Sequence, residues 1–157
     1  MRPLDGLIKA ISKLEPINLH VVDIENLAGS GKLTESVVKS IQREYTSATK
    51  STADDLYLIA AGPQNKHVLF SGWTHGTAIY QFRKGKDGAD MALVSLFSQI
   101  EHPEVFEHIF LASGDGGLSI IAERAQVLGA DVTVVTGAGA RSWKYRGHKA
   151  LQITGGF

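Results

Sequence analysis

The residue with the clearest chemical potential is Asp23, which lies inside an apolar run of β-branched residues. The run reads Leu-His-Val-Val-Asp-Ile-Glu-Asn from Leu19 to Asn26, a composition typical of a buried strand. A carboxylate at the end of such a strand costs free energy unless a cation, a metal ion or several hydrogen bonds compensate its charge. We interpret Asp23 as the anchor of an acidic metal site. The alternative is a solvated Asp that begins a turn.

Two further segments are expected to bring carboxylates to the same place. Asp90 ends the segment Lys-Gly-Lys-Asp-Gly-Ala-Asp, in which Asp87 is the other acid, and Asp115 lies within Ser-Gly-Asp-Gly-Gly. The helical spacing of the apolar residues that follow puts Asp90 on the face that packs on a sheet and Asp87 towards solvent. If the first and fourth strands are neighbours, Asp115 faces Asp23. The alternatives are that Asp115 caps a helix and that Asp87 and Asp90 form a weakened capping box.

Clustered carboxylates without nearby cysteine or histidine favour one kind of metal. Hard oxygen ligands suit Mg²⁺ or Mn²⁺, ions that keep several waters and bind phosphate oxygens. Such an ion can hold a phosphodiester, activate water and stabilise the leaving oxygen. The predicted metal ligands are Asp23, Asp90 and Asp115, with Asp87 and Glu25 as less favoured candidates. Without a metal, like charges this close would raise one another's pKa.

Alternating strand and helix patterns supply the elements that would position these acids. Strands are predicted over 19–24, 56–61, 76–82, 108–112 and 132–136, with a small strand over 151–154. Helices are predicted over 3–14, 64–72, 89–100, 118–128 and 141–149, with another that begins at the N-cap Thr34. Strands that alternate with helices indicate an α/β fold, here a parallel sheet of about five strands with helices on both faces. In such sheets ligands bind outside the carboxyl ends of the strands, where the strand order reverses.

Composition limits the classes of protein to consider. The chain has 157 residues, 43% of them hydrophobic, which suits a single domain over 1–157. Lys plus Arg and Asp plus Glu number 16 each, so any nucleic-acid binding needs a local basic patch. The absence of cysteine excludes disulfides and thiol nucleophiles, and it fits a cytoplasmic location. No apolar run approaches the roughly 18 residues of a membrane span. Asp5 in a segment without an extended apolar core argues against a secretory signal.

A Gly-Ser-Gly-Lys segment that ends at Lys32 invites a P-loop interpretation. The full motif needs a glycine where this chain has Asn26 and a Ser or Thr where it has Leu33. The phosphate cradle is therefore incomplete, and we disfavour a nucleoside triphosphatase. Lys32 is either solvated or in contact with a substrate phosphate. A Ser-His-Asp hydrolase is also disfavoured, because no Gly-x-Ser-x-Gly elbow is present.

Several motifs together resemble the NYN family, a branch of the PIN-like nucleases. They occur in order over about 19–153, and they are Val22–Leu27, Gly88–Leu93, Ser113–Gly116, Gly129–Val135 and Ser142–Tyr145. The resemblance implies a Rossmann-like sheet and metal-dependent ribonuclease activity. It also implies that Asp23, Asp90 and Asp115 are the acidic residues of the active site, with Asn26 as a supporting polar residue.

One position departs from that family pattern. The family's third motif usually continues with a second Asp, and this chain has Gly117 there. Either Asp87 or Glu25 supplies the missing ligand, or the site binds one ion weakly, or the protein keeps the fold with reduced chemistry. The Lys-leading pattern of the family also fits Asp87, although the helical face favours Asp90.

Basic residues are the predicted contacts to RNA. Arg141, Lys144 and Arg146 are interleaved with Trp143 and Tyr145, and such clusters bind phosphates and stack on unpaired bases. The alternative is that Trp143 belongs to the core. The other predicted RNA-binding residues are Lys32, Lys84 and Lys86, and Arg83 lies beside the last two.

The sequence therefore predicts an endoribonuclease that cuts single-stranded RNA with Mg²⁺ or Mn²⁺. The alternative is a catalytically weak or inactive PIN-like domain that binds RNA or a protein partner. In that case, restoring Asp at position 117 is expected to create or strongly raise activity. We expect no membrane partner, and a homodimer is left open.

Overall fold

The computed structural model of the protein describes residues 17–85, 87–138 and 141–153. The predicted lead-in helix over 3–14 and Lys86 lie outside the described residues. Within these ranges six strands form one parallel sheet, one strand more than the expected five. The strands are β1 (Leu19–Asp23), β2 (Leu56–Ala61), β3 (Thr77–Phe82), β4 (Ile109–Ala112), β5 (Val132–Thr136) and β6 (Lys149–Gln152).

The described helices follow the predicted alternation. They are α1 (Ile24–Ala28), α2 (Glu35–Thr49), α3 (Lys66–Gly72), α4 (Gly88–Ser98) and α5 (Ser119–Val127). Short 3-10 turns occupy Pro63–Asn65, Pro103–Val105, Gly116–Leu118 and Trp143–Tyr145. The predicted N-cap is confirmed, because the Thr34 side chain accepts a hydrogen bond from the amide of Val37. None of the helices in the described ranges is long and apolar enough to cross a membrane.

Predicted boundaries in two regions near the site were wrong. The first strand stops at Asp23, and α1 occupies part of the expected loop over 26–32. It forms because the Asp23 side chain caps its first turn, and it ends at Gly29, whose φ of 71° suits glycine. The helix expected over 141–149 is only the 3-10 turn Trp143–Tyr145, and the last strand begins at Lys149 rather than at residue 151.

The central strands are buried on both faces. Every residue of β1, β2, β4 and β5 is buried, which is why these strands read as nearly continuous apolar runs. Leu19 and Val21 belong to a core that includes Leu93 and Phe97 of α4, whereas Val22 belongs to a second core that includes Ile41 of α2. Alternate side chains of one strand therefore fix helices on opposite faces, giving a Rossmann-like α/β architecture.

The strand order places the switch point beside β1. The order is β3-β2-β1-β4-β5-β6, and β1 pairs with β2 on one side and with β4 on the other. The first and fourth strands are therefore neighbours, which is the condition under which Asp115 was expected to face Asp23. The chain after β1 leaves in one direction and the chain after β4 in the other, so a crevice opens between their carboxyl ends. Asp23 is the last residue of β1.

A cluster of buried polar side chains stabilises the opposite, amino-terminal edge of the sheet. His20 is fully buried, and its ring stacks on Tyr57 at 4.3 Å and on Phe110 at 4.9 Å between centroids. Its Nε2 lies 2.8 Å from Asp55 Oδ2, and its Nδ1 lies 2.7 Å from the hydroxyl of Tyr45. Burial lowers the pKa of His20 in spite of the Asp55 carboxylate. The neutral imidazole therefore donates from Nε2 to Asp55 and accepts the Tyr45 hydroxyl at Nδ1.

Loss of the Tyr45 hydroxyl should destabilise the fold. Tyr45→Phe leaves the buried Nδ1 of His20 without a donor, and we expect a loss of about 1–3 kcal/mol in the free energy of unfolding. Urea denaturation followed by circular dichroism measures this loss. The matched control is Tyr57→Phe, whose hydroxyl donates to Ser51 Oγ at a part-buried position and should cost about 0.5–1.5 kcal/mol. Equal losses for both variants would contradict this account of the cluster.

Candidate active site at the carboxyl edge of the sheet

A cleft of about 790 Å³ opens at the carboxyl edge of the sheet. Asp23, Asp90 and Asp115 all line it. They come from the end of β1, the first turn of α4 and the loop after β4. The structure therefore brings together the three carboxylates that the sequence singled out, although they are far apart along the chain.

Asp23 combines a local role with its place in the cleft. Its side chain is only 6% exposed, and its Oδ1 accepts a hydrogen bond from the amide of Asn26 at 3.3 Å. The alternative in which Asp23 begins a turn is therefore correct locally, because the carboxylate caps α1. This bond accounts for one oxygen only, and the carboxyl group still lines the cleft.

Asp115 and Asp90 lie next to each other. Asp115 caps the turn Gly116–Leu118, since its Oδ1 accepts the amide of Gly117 at 2.9 Å. The alternative in which Asp115 is a capping residue is therefore correct locally, although it caps a 3-10 turn. Among the neighbouring charges, that of Asp115 raises the pKa of Asp90 the most. Neighbouring carboxyl groups of this kind favour a shared proton or a bound cation.

Burial and mutual repulsion raise the pKa of two of these acids. Burial is the largest cause for Asp23, whose pKa rises to about 6, and the charges of Glu25 and Asp115 add to it. Burial is also the largest cause for Asp90, whose pKa rises to about 7, followed by the charges of Asp115 and Asp23. Without a bound cation these two carboxyl groups are therefore partly protonated near neutral pH.

The lack of a side chain at Gly117 leaves space for the Asp90 carboxylate. A Cβ atom added at position 117 would lie 2.5 Å from Asp90 Oδ2 and 3.4 Å from Asp115 Oδ1. The first distance is shorter than any normal contact, so a side chain at 117 would have to displace the Asp90 carboxylate. The residue that departs from the family pattern is therefore in direct contact with the two adjacent acids.

The donor chemistry of the cleft fits a hard divalent ion, but a complete set of ligands is not formed. Among residues 17–85, 87–138 and 141–153, no group of three or more Asp, Glu, His or Cys side chains is arranged to hold a metal ion. The adjacent pair Asp90 and Asp115 offers carboxylate oxygens of the kind that Mg²⁺ and Mn²⁺ take. A metal site with three carboxylates stays a prediction.

Two other predicted residues hold the walls of the cleft together. Asn26 Oδ1 accepts the amide of Gly114 at 2.8 Å, which fastens α1 to the loop that carries Asp115. Glu25 Oε2 accepts the amide of Gly62 at 2.9 Å and the side-chain amide of Asn65 at 2.5 Å. Both residues line the cleft. Since the Glu25 carboxylate already has two donors, its position favours a positioning role over metal binding.

Of the predicted basic residues that the structure describes, one lines the cleft. Lys84 does so together with Arg83, which sequence analysis placed only beside the predicted set. Lys32 is exposed but is not part of the lining, although Gly29 and Gly31 are. Asp87, the less favoured ligand, is exposed and lines a neighbouring groove instead of the cleft.

The other predicted cations lie on the segment between β5 and β6. Arg141, Lys144 and Arg146 are exposed and do not line the cleft. The segment is fastened by the amide of Ser142, which donates to the carbonyl of Gly114 at 2.9 Å. Trp143 is 74% exposed, so the alternative that it belongs to the core is wrong.

Tyr145 is a positioning residue that the sequence did not reveal. It is fully buried, and its hydroxyl donates to the backbone carbonyl of Asp115 at 2.5 Å. Burial raises its pKa above the usual tyrosine value, and the charges of the three clustered acids add to the shift. The neutral hydroxyl therefore supports the turn that presents Asp115. Only its place between two basic residues drew attention to it, as a ring for stacking on bases.

Comparison of the chain with protein-family models, curated proteins and solved structures finds no match. The resemblance to the NYN family therefore rests on the sequence motifs, and the site is described by its own geometry.

Replacing Asp90 by Asn should stabilise the metal-free protein at alkaline pH. The pKa of Asp90 is higher in the folded than in the unfolded chain, so stability is lost as the pH rises through about 7. Because the side chain is partly exposed, we discount the full effect and expect Asp90→Asn to gain about 1–2 kcal/mol at pH 8. The gain should decline as the pH falls and vanish near pH 3.5, below the ordinary pKa of 3.8.

Urea denaturation in EDTA at the two pH values measures this gain. Asp87→Asn is the matched control, because Asp87 is exposed and its side chain makes no capping hydrogen bond. The control should change stability by less than about 0.5 kcal/mol. A loss of stability in Asp90→Asn at pH 8 would show that the Asp90 charge is already compensated.

Proposed function

We propose that this protein is a metal-dependent endoribonuclease that cuts single-stranded RNA. The observation that carries the proposal is the meeting of Asp23, Asp90 and Asp115 in one cleft at the switch point of a parallel sheet. Arg83 and Lys84 lie on the same cleft and supply the cations that a phosphodiester needs. Since the net charge of the chain is zero, this local pair matters more than any global field.

Asp90 and Asp115, with Asp23 beside them, would hold a Mg²⁺ or Mn²⁺ ion. When bound, such an ion supplies an activated water and stabilises the charge on the leaving oxygen. Arg83 and Lys84 bind the phosphate and orient it towards the acids. Hydrolysis forms a bond between water oxygen and phosphorus, breaks the bond from phosphorus to a ribose oxygen, and moves one proton from the water to that oxygen.

A bound ion would change the protonation of these acids. The pKa values of about 6 for Asp23 and about 7 for Asp90 hold for the cleft without an ion. A cation favours the charged carboxylates and lowers their pKa, so metal binding near neutral pH would release protons from the cluster. The acids would then act as ligands.

The alternative is a domain that binds RNA or a protein partner without cutting. It is favoured by the lack of a three-ligand group among the described residues and by the glycine at position 117. In this alternative Arg83 and Lys84 still bind phosphates, and the acids contribute little. Cleavage assays on defined variants separate the two functions.

Removing one acid should abolish cleavage without unfolding the protein. We expect the wild type to cut a circular, unstructured RNA in Mn²⁺ or Mg²⁺, since an endonuclease needs no chain end. Asp23→Asn and Asp115→Asn should each lower the rate by at least about 100-fold, because each removes a charged group from the site. Asp54→Asn is the control, because Asp54 is exposed and lines neither the cleft nor the neighbouring groove, and it should stay within about twofold of the wild type. Thermal unfolding by circular dichroism verifies the fold of each variant.

Cleavage that persists in both acid variants, or that is absent with every divalent metal, contradicts the nuclease proposal. RNA binding without cleavage would support the alternative.

Position 117 distinguishes a working site from one that has lost a ligand. In the nuclease, Gly117→Ala displaces the Asp90 carboxylate, and we expect the cleavage rate to fall at least about tenfold. Gly117→Asp should be no better, since its side chain meets the same atom. In the alternative, Gly117→Asp creates or raises activity and Gly117→Ala does nothing. Initial rates on the circular RNA measure both variants. Activity gained by Gly117→Asp would reject a role for Asp90 in its present position.

A further inference from the structure

A second groove, of about 590 Å³, runs along α4 beside the cleft. Its wall on the helix is formed by Met91, Val94, Ser95 and Ser98. These positions are spaced three, four and seven residues from the first, so they form one stripe along the helix. We call this depression the α4 groove.

The α4 groove and the cleft meet at the two adjacent acids. Arg83, Asp90 and Asp115 line both depressions. A strand whose phosphate lies at this junction carries one nucleotide on each side of it. One neighbour would lie in the cleft, and the other would enter the α4 groove. Gly117 also lines the groove, and its missing side chain keeps the junction open.

The lining of the α4 groove suits an unpaired nucleotide. Met91 is 54% exposed and Val94 is half-buried, which gives an apolar wall for the face of a base. Methionine is flexible and polarisable, so it packs on rings of different shape. Ser95 and Ser98 are exposed, and Ser98 Oγ donates to the carbonyl of Ser95 at 2.8 Å, which leaves its lone pairs to accept. Hydroxyls of this kind can bond to ribose or to base edges.

From this continuity we propose that the α4 groove binds one nucleotide of the substrate RNA, with its base against Met91, directly beside the phosphate at Asp90 and Asp115. The proposal rests on the proposed function, and it adds a binding position that the motifs did not indicate. RNA is favoured over a protein partner because the groove is continuous with a cationic phosphate site at Arg83. A protein partner becomes an outcome of the test.

Charge reversal at Ser95 tests whether a phosphate chain passes the groove. The probe is a fluorescein-labelled octauridylate in Ca²⁺, with binding read by fluorescence anisotropy and intact RNA verified on a gel. Ser95→Glu should weaken binding at least fivefold, whereas Ser95→Lys should leave it equal or tighter. Ser36→Glu adds the same charge at an exposed position of α2 outside both depressions, and it should have no effect.

Equal weakening by Glu and Lys, or no effect of either, overturns the proposal. Concentration-dependent self-association by sedimentation that Ser95→Glu abolishes also overturns it, since the groove is then an interface between copies.

An abasic scan locates the nucleotide itself. Octamers that lack one base in turn are titrated against the wild type and against Met91→Ala. One position should lose at least threefold in affinity with the wild type and less than about 1.5-fold with Met91→Ala. If no position depends on Met91, the base does not lie on that wall and the proposal is overturned.

The two levels of proposal fail differently. If RNA binds with this pattern but is never cut in Mg²⁺ or Mn²⁺, the nuclease proposal is wrong and the groove proposal stands. If RNA is cut with a KM unchanged by Ser95→Glu, the groove proposal is wrong and the nuclease proposal stands. A protein that binds no RNA at all removes both.

Discussion

The repulsion between carboxylates at the switch point is the constraint on which the site depends. Asp23, Asp90 and Asp115 lie in one cleft, and the pKa values of the first two rise as a result of burial and of their neighbours' charge. An arrangement of this kind costs folding free energy at neutral pH. A bound cation would offset this cost, while contacts from other segments hold the walls of the cleft in place.

Those contacts come from segments far apart in sequence. Asn26 binds the amide of Gly114 across 88 residues, and Tyr145 binds the carbonyl of Asp115 across 30 residues. Glu25 holds Gly62 and Asn65 in the same way on the other wall. At the amino-terminal edge, the buried His20 cluster holds β1 against its neighbouring strands. The acids therefore lie on a rigid frame, which is what positioned catalytic groups require.

The fold was largely accessible from sequence because its signals are local. β-branched runs and apolar helical spacing identified the strands and the longer helices, and Thr34 marked a helix start. The α1 helix was not predicted because its five residues are too few to show a helical period. In addition, Asp23 was interpreted as a metal ligand on account of its charge, and not as a helix cap. The helix expected over 141–149 failed because that segment is held by Gly114 and Asp115, contacts that no periodicity encodes. The same reason hid Tyr145, whose partner is a backbone atom.

Gly117 shows how one residue can be interpreted in opposite ways from sequence and from structure. In the sequence, this glycine stands where the family pattern has a second Asp close to Asp115. In the structure, its lack of a side chain leaves space for the Asp90 carboxylate, since an added Cβ would lie 2.5 Å from Asp90 Oδ2. Asp90 is itself one of the three predicted acids, so it occupies the space beside Gly117 without replacing the missing ligand. Gly117 also lines the α4 groove. Asp90 and Gly117 therefore form one unit, and changing either alone alters the charge and the shape of the site together.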